Sequence, residues 1–262
     1  MRPGISGFVG FAPRPDKPIE WRGSSYDDLC AFPGDARRDA GFQLGLVQQG
    51  YRPDDWKAMP TVGAGVIEIR IDVGTAYRVV IVVKFEEAIY VLHAFEKKSR
   101  RTPRPDVDLA ATRRRSCPEA ISRPDRGART EMTTKKSRKA IKGRRPKRPT
   151  RGRRIGQMHP HTPLPGSTHT TMPGRIFEDL GFSPGEAENL RMRAQLMLAL
   201  RSIVSGLPQS KAAALLGVTQ PRVSHLVRGK IGLFTIDTLV NMLAHAGARI
   251  RVSIKRRSRS AA

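Results

Sequence analysis

Gln220, Arg222, Ser224 and His225 stand close together in the chain, and their side chains carry the hydrogen-bonding groups that read the edges of bases. Gln pairs bidentately with adenine and Arg with guanine, so Gln220 and Arg222 are the first candidates for base contacts, with Ser224 and His225 behind them. Gln209, Arg228 and Lys230 flank this group and suit phosphates, which fix position without specifying sequence. Thr219 stands where the reading segment must begin and is a good helix N-cap.

These residues belong to QSKAAALLGVTQPRVSHLVRGK, residues 209–230, which reads as a helix-turn-helix. Gln209 opens a first helix with Ala212, Ala213 and Leu216 inward. Gly217 supplies the positive φ of the turn, and Val218 anchors it. Pro221 sits in the first turn of the second helix, where its missing N–H costs nothing. Val223 and Leu226 point inward and leave the polar residues outside. An ordinary helical pair can carry small inner residues, a turn glycine and a cap; here every position of the motif is filled together.

Upstream, Ser183-Pro184-Gly185-Glu186 is a capping box opening a helix to about Ser205. Downstream, Thr235 caps TIDTLVNMLAHAG, and ARIRVSI alternates Ile250, Val252 and Ile254, which predicts a short C-terminal strand. A lone strand needs a partner, and a second copy of the chain would provide one. This half, residues 173–255, is therefore predicted to be all-α with that strand at its end, followed by a basic tail over 256–262.

Residues 1–18 are a Gly- and Pro-rich flexible tail, and residues 19–115 read as an α+β domain of helices plus an antiparallel sheet. GDARRDAGFQLGLVQQ carries apolar residues at helical spacing and stops at Gly50. GVIEIRIDV, AYRVVIVVKF and AIYVLHAFEKK are β-branched runs with short connections, which demand an antiparallel meander. Alternation puts Ile67, Ile69 and Ile71 on one face, and on the third strand Tyr90, Leu92 and Ala94 opposite His93, Phe95 and Lys97. A core on the isoleucine face leaves Arg70, Arg78, His93 and Lys97 together on an open side.

The net charge of +25 points to a polyanionic partner, most simply nucleic acid. Residues 97–154 hold 23 Lys plus Arg against 5 Asp plus Glu, so most of that charge says little about the two folded halves. Residues 116–172 are rich in Arg, Lys, Pro and Thr and read as a disordered basic linker, a solvated tether that also holds phosphate nonspecifically. Two cysteines, Cys30 and Cys117, make neither a disulfide framework nor a metal site. The N-terminus lacks the apolar run of a signal peptide and no stretch reads as a membrane span, so a cytoplasmic protein without membrane contact is expected.

On WRGSSYDDLCAFP, VQQGYRPDDWKAMP, GVIEIRI, YRVVIVVKF, YVLHAFEKK and DVDLA, residues 20–115 resemble HigB-like toxins of the phage-derived Gp49-like group in the RelE superfamily. On RIFEDLGF, LRMRAQLMLAL, KAAALLGVTQPRVSHLVRGK and FTIDTLVNML, residues 175–254 resemble XRE-type, lambda-repressor-like antitoxins of the HigA group. The two resemblances cover about two thirds of the chain. Such pairs are usually separate neighbouring proteins, toxin first; here one chain holds both in that order. The toxin pattern normally ends in its own helix, whereas DVDLAATRR here runs into SCPEAISRPDR, and Met132 opens what looks like an antitoxin start. That junction leaves the toxin's last helix open to question and is compatible with two joined reading frames.

The resemblance implies a metal-independent mRNA endoribonuclease acting on the ribosome, with no cofactor. The 2′-hydroxyl attacks the adjacent phosphate, which calls for a proton acceptor, cationic charge stabilisation and a donor to the leaving oxygen. Arg70 and Arg78 can clamp phosphate with their forked donors, His93 can carry a proton, and Lys97 can stabilise charge. Lys57 and Lys98 suit RNA phosphates, and Phe95 can stack a base. Each has a plainer reading: a strand histidine is often structural, cations on an open sheet are often only solvated, and Glu68 suits an arginine partner better than a base. The implied partners are operator DNA, mRNA and the ribosome, an intramolecular toxin–antitoxin contact, and a second copy in a homodimer. The reading is of an autorepressor with a toxin inhibited in cis. The alternatives are a transcriptional regulator carrying a dead toxin domain, and an active ribonuclease with a passive DNA-binding appendage.

Overall fold

Residues 66–72, VIEIRID, form the strand on which the N-terminal half is built. The computed structural model describes residues 16–99, 101–118 and 167–253, which fall in one compact unit. The linker reading over 119–166, Met132 included, lies outside these residues, as do most of the expected tail over 1–18 and the basic tail over 256–262.

The elements of the N-terminal half are β1 (Ile19–Arg22), α1 (Ser25–Cys30), α2 (Gly34–Gln48), β2 (Trp56–Ala58), β3 (Val66–Asp72), β4 (Ala76–Val82), β5 (Ile89–Glu96) and α3 (Arg104–Arg115). The C-terminal half contributes β6 (Ser167–Thr171), α4 (Ile176–Asp179), α5 (Pro184–Val204), α6 (Gln209–Leu216), α7 (Gln220–Val227), a 3-10 turn at Ile231–Leu233, and α8 (Ile236–His245). The predicted meander is present as β3-β4-β5, inside a six-stranded sheet of order β2-β3-β4-β5-β1-β6. Among the described residues only β1 with β5 is parallel. Ile69, Ile71, Val79, Ile81, Val91 and Ala94 bury one face against α2, whose Ala36, Ala40, Leu44 and Val47 lie at the predicted helical spacing.

Four expectations change. First, β6 lies inside the segment read as linker. STHTT has no large apolar residue, but its backbone pairs antiparallel with β1, Ile19 to Thr171 and Trp21 to His169. Threonines also suit a pleated edge. Trp21 is fully buried and donates from Nε1 to Thr171 Oγ1 at 2.9 Å, and Thr168 Oγ1 donates to the Gly23 carbonyl at 2.8 Å. A strand of the C-terminal half thus closes the sheet edge of the N-terminal half.

Second, the third strand does not alternate cleanly. Val80 pairs with His93 but Ile81 pairs with Val91, so Leu92 is the extra residue of a bulge. Tyr90 therefore lies on the face opposite Ala94, beneath the Arg22 guanidinium at 4.8 Å. Third, α3 packs on the side expected to be open. The twelve-residue helix is formed despite the unusual sequence after it, and its Arg113 donates to the Leu92 carbonyl at 2.9 Å, satisfying the bulge residue.

Fourth, residues 248–253 have no regular structure, and Ile254 lies beyond the described residues. Ile250 and Val252 are exposed, because an extended segment without a neighbour has nothing to pair with. The helical core holds Ala212, Leu216, Val223 and Leu226, as expected, together with Met197, Leu200, Leu239 and Leu243. Ser183 caps α5 by accepting from the Glu186 amide, and Thr235 caps α8 by accepting from Thr238. Among the described residues no helix is long and apolar enough to cross a membrane.

Candidate nucleic-acid interfaces

Cross-strand register fixes what the N-terminal sheet offers. Lys57 pairs with Glu68, Glu68 with Val80 and Val80 with His93, so these form one row. Arg70, Arg78 and Phe95 form the next row, and the Lys97 amide, just past β5, donates to the Ala76 carbonyl. Arg70, Arg78, His93, Phe95 and Lys97 thus share the side opposite the isoleucines.

They are not equally available. Glu68 is buried and takes the charge of both arginines, with Oε1 3.4 Å from Arg78 Nε and 3.7 Å from Arg70 Nε; Thr102 donates to its other oxygen at 3.1 Å. Arg78 is further committed by donating to the Tyr77 carbonyl at 2.7 Å, and only 12% of its side chain is exposed against 37% for Arg70. Arg70 is therefore the more accessible of the two guanidinium groups. Lys57 and Lys98 are exposed, while Phe95 and Lys97 are half-buried.

His93 is covered rather than presented. Only 7% of the residue is exposed, its ring stacks on Phe95 at 5.0 Å, and its two nitrogens face Asp106 of α3 at 3.0 Å and Asp28 of α1 at 3.5 Å. Arg113 joins them, 3.7 Å from the same Asp28 oxygen. This buried network ties α1, β5 and α3 together and covers the His93 ring. Strand alternation could not reveal this, because Asp28 and Asp106 come from two other elements, α1 and α3.

In the C-terminal half, α6 and α7 meet at Gly217, whose φ of 64° is left-handed, with Thr219 extended at the start of α7. The Thr219 hydroxyl makes no capping bond, so its contribution there is backbone geometry alone. Gln209, Thr219, Gln220 and Arg228 are exposed; Arg222, Ser224, His225 and Lys230 are half-buried. Arg222 lies over the Phe234 ring at 4.4 Å, and Ser224 accepts from Arg228 at 2.6 Å.

Residues 27–115 match the family model of phage-derived Gp49-like proteins, and residues 176–255 match that of a helix-turn-helix domain. The chain thus carries a Gp49-like domain followed by a helix-turn-helix domain. No curated protein matches the chain.

The two domains meet over a built interface. Gly41 of α2 faces Phe177 and Leu180 of the helix-turn-helix domain so closely that a Cβ at that position would stand 2.8 Å from the Phe177 ring. Tyr26 donates to the Asp179 carbonyl at 2.5 Å, and Arg38 Nη2 lies 2.9 Å from Glu186. Asp54 of the Gp49-like domain is gripped by both Arg201 terminal nitrogens and by Gln43. Burial pushes the Asp54 carboxyl up, with Arg201 and Gln43 pulling the other way.

The end of α7 lies against the same domain. Gly229 is buried, and a Cβ there would come within 2.4 Å of Asp54 Oδ2 and 2.6 Å of the Phe42 ring. Lys230 Nζ lies 3.4 Å from Asp39 Oδ2 and donates to the Asp72 carbonyl. A cavity of about 500 Å³ beside it is lined by Arg70, Asp55 and Asp72 from one domain and His225, Arg228 and Lys230 from the other. The residues expected to hold DNA phosphate and the arginine expected to hold RNA phosphate thus border one space.

Asp39 gives this interface a pH signature. Burial pushes its carboxyl up to about 6 in spite of Lys230. A carboxyl raised on folding contributes stability that is full below its unfolded value and lost as pH rises through about 6. The stability of the native chain relative to Asp39→Asn should therefore grow by roughly 2–3 kcal/mol as pH falls from 7 to 4. Denaturant unfolding of both proteins across that range checks this; a difference independent of pH contradicts it.

Proposed function

We propose that the chain is a single-polypeptide toxin–antitoxin: its helix-turn-helix domain reads operator DNA as an autorepressor, and its Gp49-like domain is an mRNA endoribonuclease inhibited in cis. The observation that carries the cis reading is the position of Arg70, which lines the cavity closed on its other side by His225, Arg228 and Lys230. RNA approaching Arg70 there meets three side chains of the antitoxin-like domain. Arg70 and Lys97 supply charge to the phosphate, Arg78 holds Glu68 and Arg70 in place, and Lys57, Lys98 and Phe95 extend the RNA surface. His93 fixes α3 over the sheet. The HigB and HigA groups are the families this reading assigns to the two halves.

DNA reading falls to Gln220, whose exposed side chain stands at the N-terminal end of α7. Arg222 would have to leave Phe234 to reach a base, so its share is smaller. Gln220→Ala should cost roughly 1–3 kcal/mol of binding to the preferred duplex and relax the preference at one base pair. Selection of duplexes from a random pool by native and variant chains tests this, and an unaltered preference in the variant would remove Gln220 from the reading surface. A homodimer would engage two half-sites about 34 Å apart.

A further inference from the structure

We infer that duplex DNA and the Gp49-like domain compete for the end of α7, so that the chain bound to its operator is undocked. This rests on the DNA-binding reading above and adds to it a coupling between the two domains. In a helix-turn-helix complex the recognition helix enters the major groove, and the residues just after it include the cations assigned above to phosphates. Here those residues are Arg228, Gly229 and Lys230, and the Gp49-like domain covers two of the three. Lys230 faces the Asp39 carboxylate and the Asp72 carbonyl where phosphate oxygens would otherwise stand. Gly229 is packed so tightly on Phe42, Gln43 and Asp54 that not even a methyl group fits, so no phosphate can reach that backbone while the domains are docked.

The charges of the covering surface suit this role. In a chain of net charge +25, the wall facing α7 carries Asp35, Asp39, Asp55 and Asp72. An acidic surface set against a phosphate-binding cation offers the electrostatics of the nucleic acid it displaces. The base-reading end of α7 stays free, since Thr219 and Gln220 are exposed. The docked chain therefore keeps its means of recognising a sequence and lacks the phosphate contacts that hold it there. Because coupling between two binding events is reciprocal, DNA that takes Lys230 loosens the Gp49-like domain by the same factor by which docking weakens DNA binding. Operator binding then opens the cavity at Arg70.

A reversible lock tests this on the full chain. Gly45 of α2 lies where a Cβ would be 3.8 Å from Ile176 Cγ2, so Gly45→Cys with Ile176→Cys, in a Cys30→Ala, Cys117→Ala background, places two thiols side by side across the contact and away from α7, with the bond between them verified by the mass of the oxidised protein. The probe is a duplex selected from a random 40-base-pair pool by the reduced protein. The oxidised protein should bind it at least tenfold more weakly, with recovery on reduction. Equal affinity in both states overturns the competition, whereas a reduced protein that selects no sequence overturns the DNA-binding reading beneath it. Amide exchange on the native chain gives a second readout. Saturating duplex should speed exchange in α2 and α4, and unchanged exchange with duplex bound overturns the inference whether or not the disulfide forms.

Discussion

Gly41→Leu is expected to separate the two domains and turn a tolerated chain into a growth-arresting one. Gly41 is buried on the α2 face that receives Phe177 and Leu180, and a Cβ would already stand 2.8 Å and 3.1 Å from their side chains. A leucine adds three further carbons where there is no room for the first. Overpacking of this kind costs about 3 kcal/mol, which shifts a docking equilibrium by about two orders of magnitude. Leucine is a good helix former, so α2 itself gains in propensity over glycine and the damage falls on the contact. Limited proteolysis between the halves, with circular dichroism to verify retained helix and strand, reads the separation. A variant that is folded, docked and as resistant as the native chain would show that α2 and α4 do not hold the domains together.

Arg70→Ala is expected to remove RNA cleavage, by a factor of about 10² to 10³, wherever cleavage is present. The arginine is the more exposed of the two guanidinium groups on the sheet, it borders the interdomain cavity, and its neighbour Arg78 is held by Glu68 and the Tyr77 carbonyl. Arg70 pairs only at 3.5 and 3.7 Å with Asp55 and Glu68, so its loss leaves the sheet intact. Arg70→Lys should recover only part of the rate, because a single ammonium lacks the fork of a guanidinium. The assay is cleavage of a defined RNA by the undocked chain, alone and with ribosomes. Undiminished cleavage by Arg70→Ala would move the chemistry elsewhere on the domain.

Period and spacing carried the sequence reading where neighbours in the fold are neighbours in the chain. The meander β3-β4-β5 and the pair α6-α7 are such cases: β-branched alternation and short turns define one, and Ala212, Leu216, Gly217 and Val223 define the other. The shared side of Arg70, Arg78, His93 and Lys97 also followed from alternation, since the bulge at Leu92 lies before His93 and leaves the later part of the strand in phase. The same bulge defeats alternation for Tyr90. What escaped was set by contacts distant along the chain. The segment 167–171 is polar enough to pass for linker, and its strand exists because β1 offers an unpaired edge; the threonines are the one local sign of it. The covering of His93 needs α3, and the covering of Gly229 and Lys230 needs α2, neither of which marks its partner in sequence. Conversely, Ile250 and Val252 have the pattern of a strand and no neighbour to complete it among the described residues.

The most direct test of a toxin held in cis is messenger RNA integrity, followed with growth, after induction of three full-length proteins in parallel: the native chain, Gly41→Leu, and Gly41→Leu combined with Arg70→Ala. The account predicts intact RNA with the first, rapid RNA loss and arrest with the second, and intact RNA again with the third. Intact RNA from a folded, undocked Gly41→Leu chain would contradict it and leave the Gp49-like domain as an inactive companion of a DNA-binding protein.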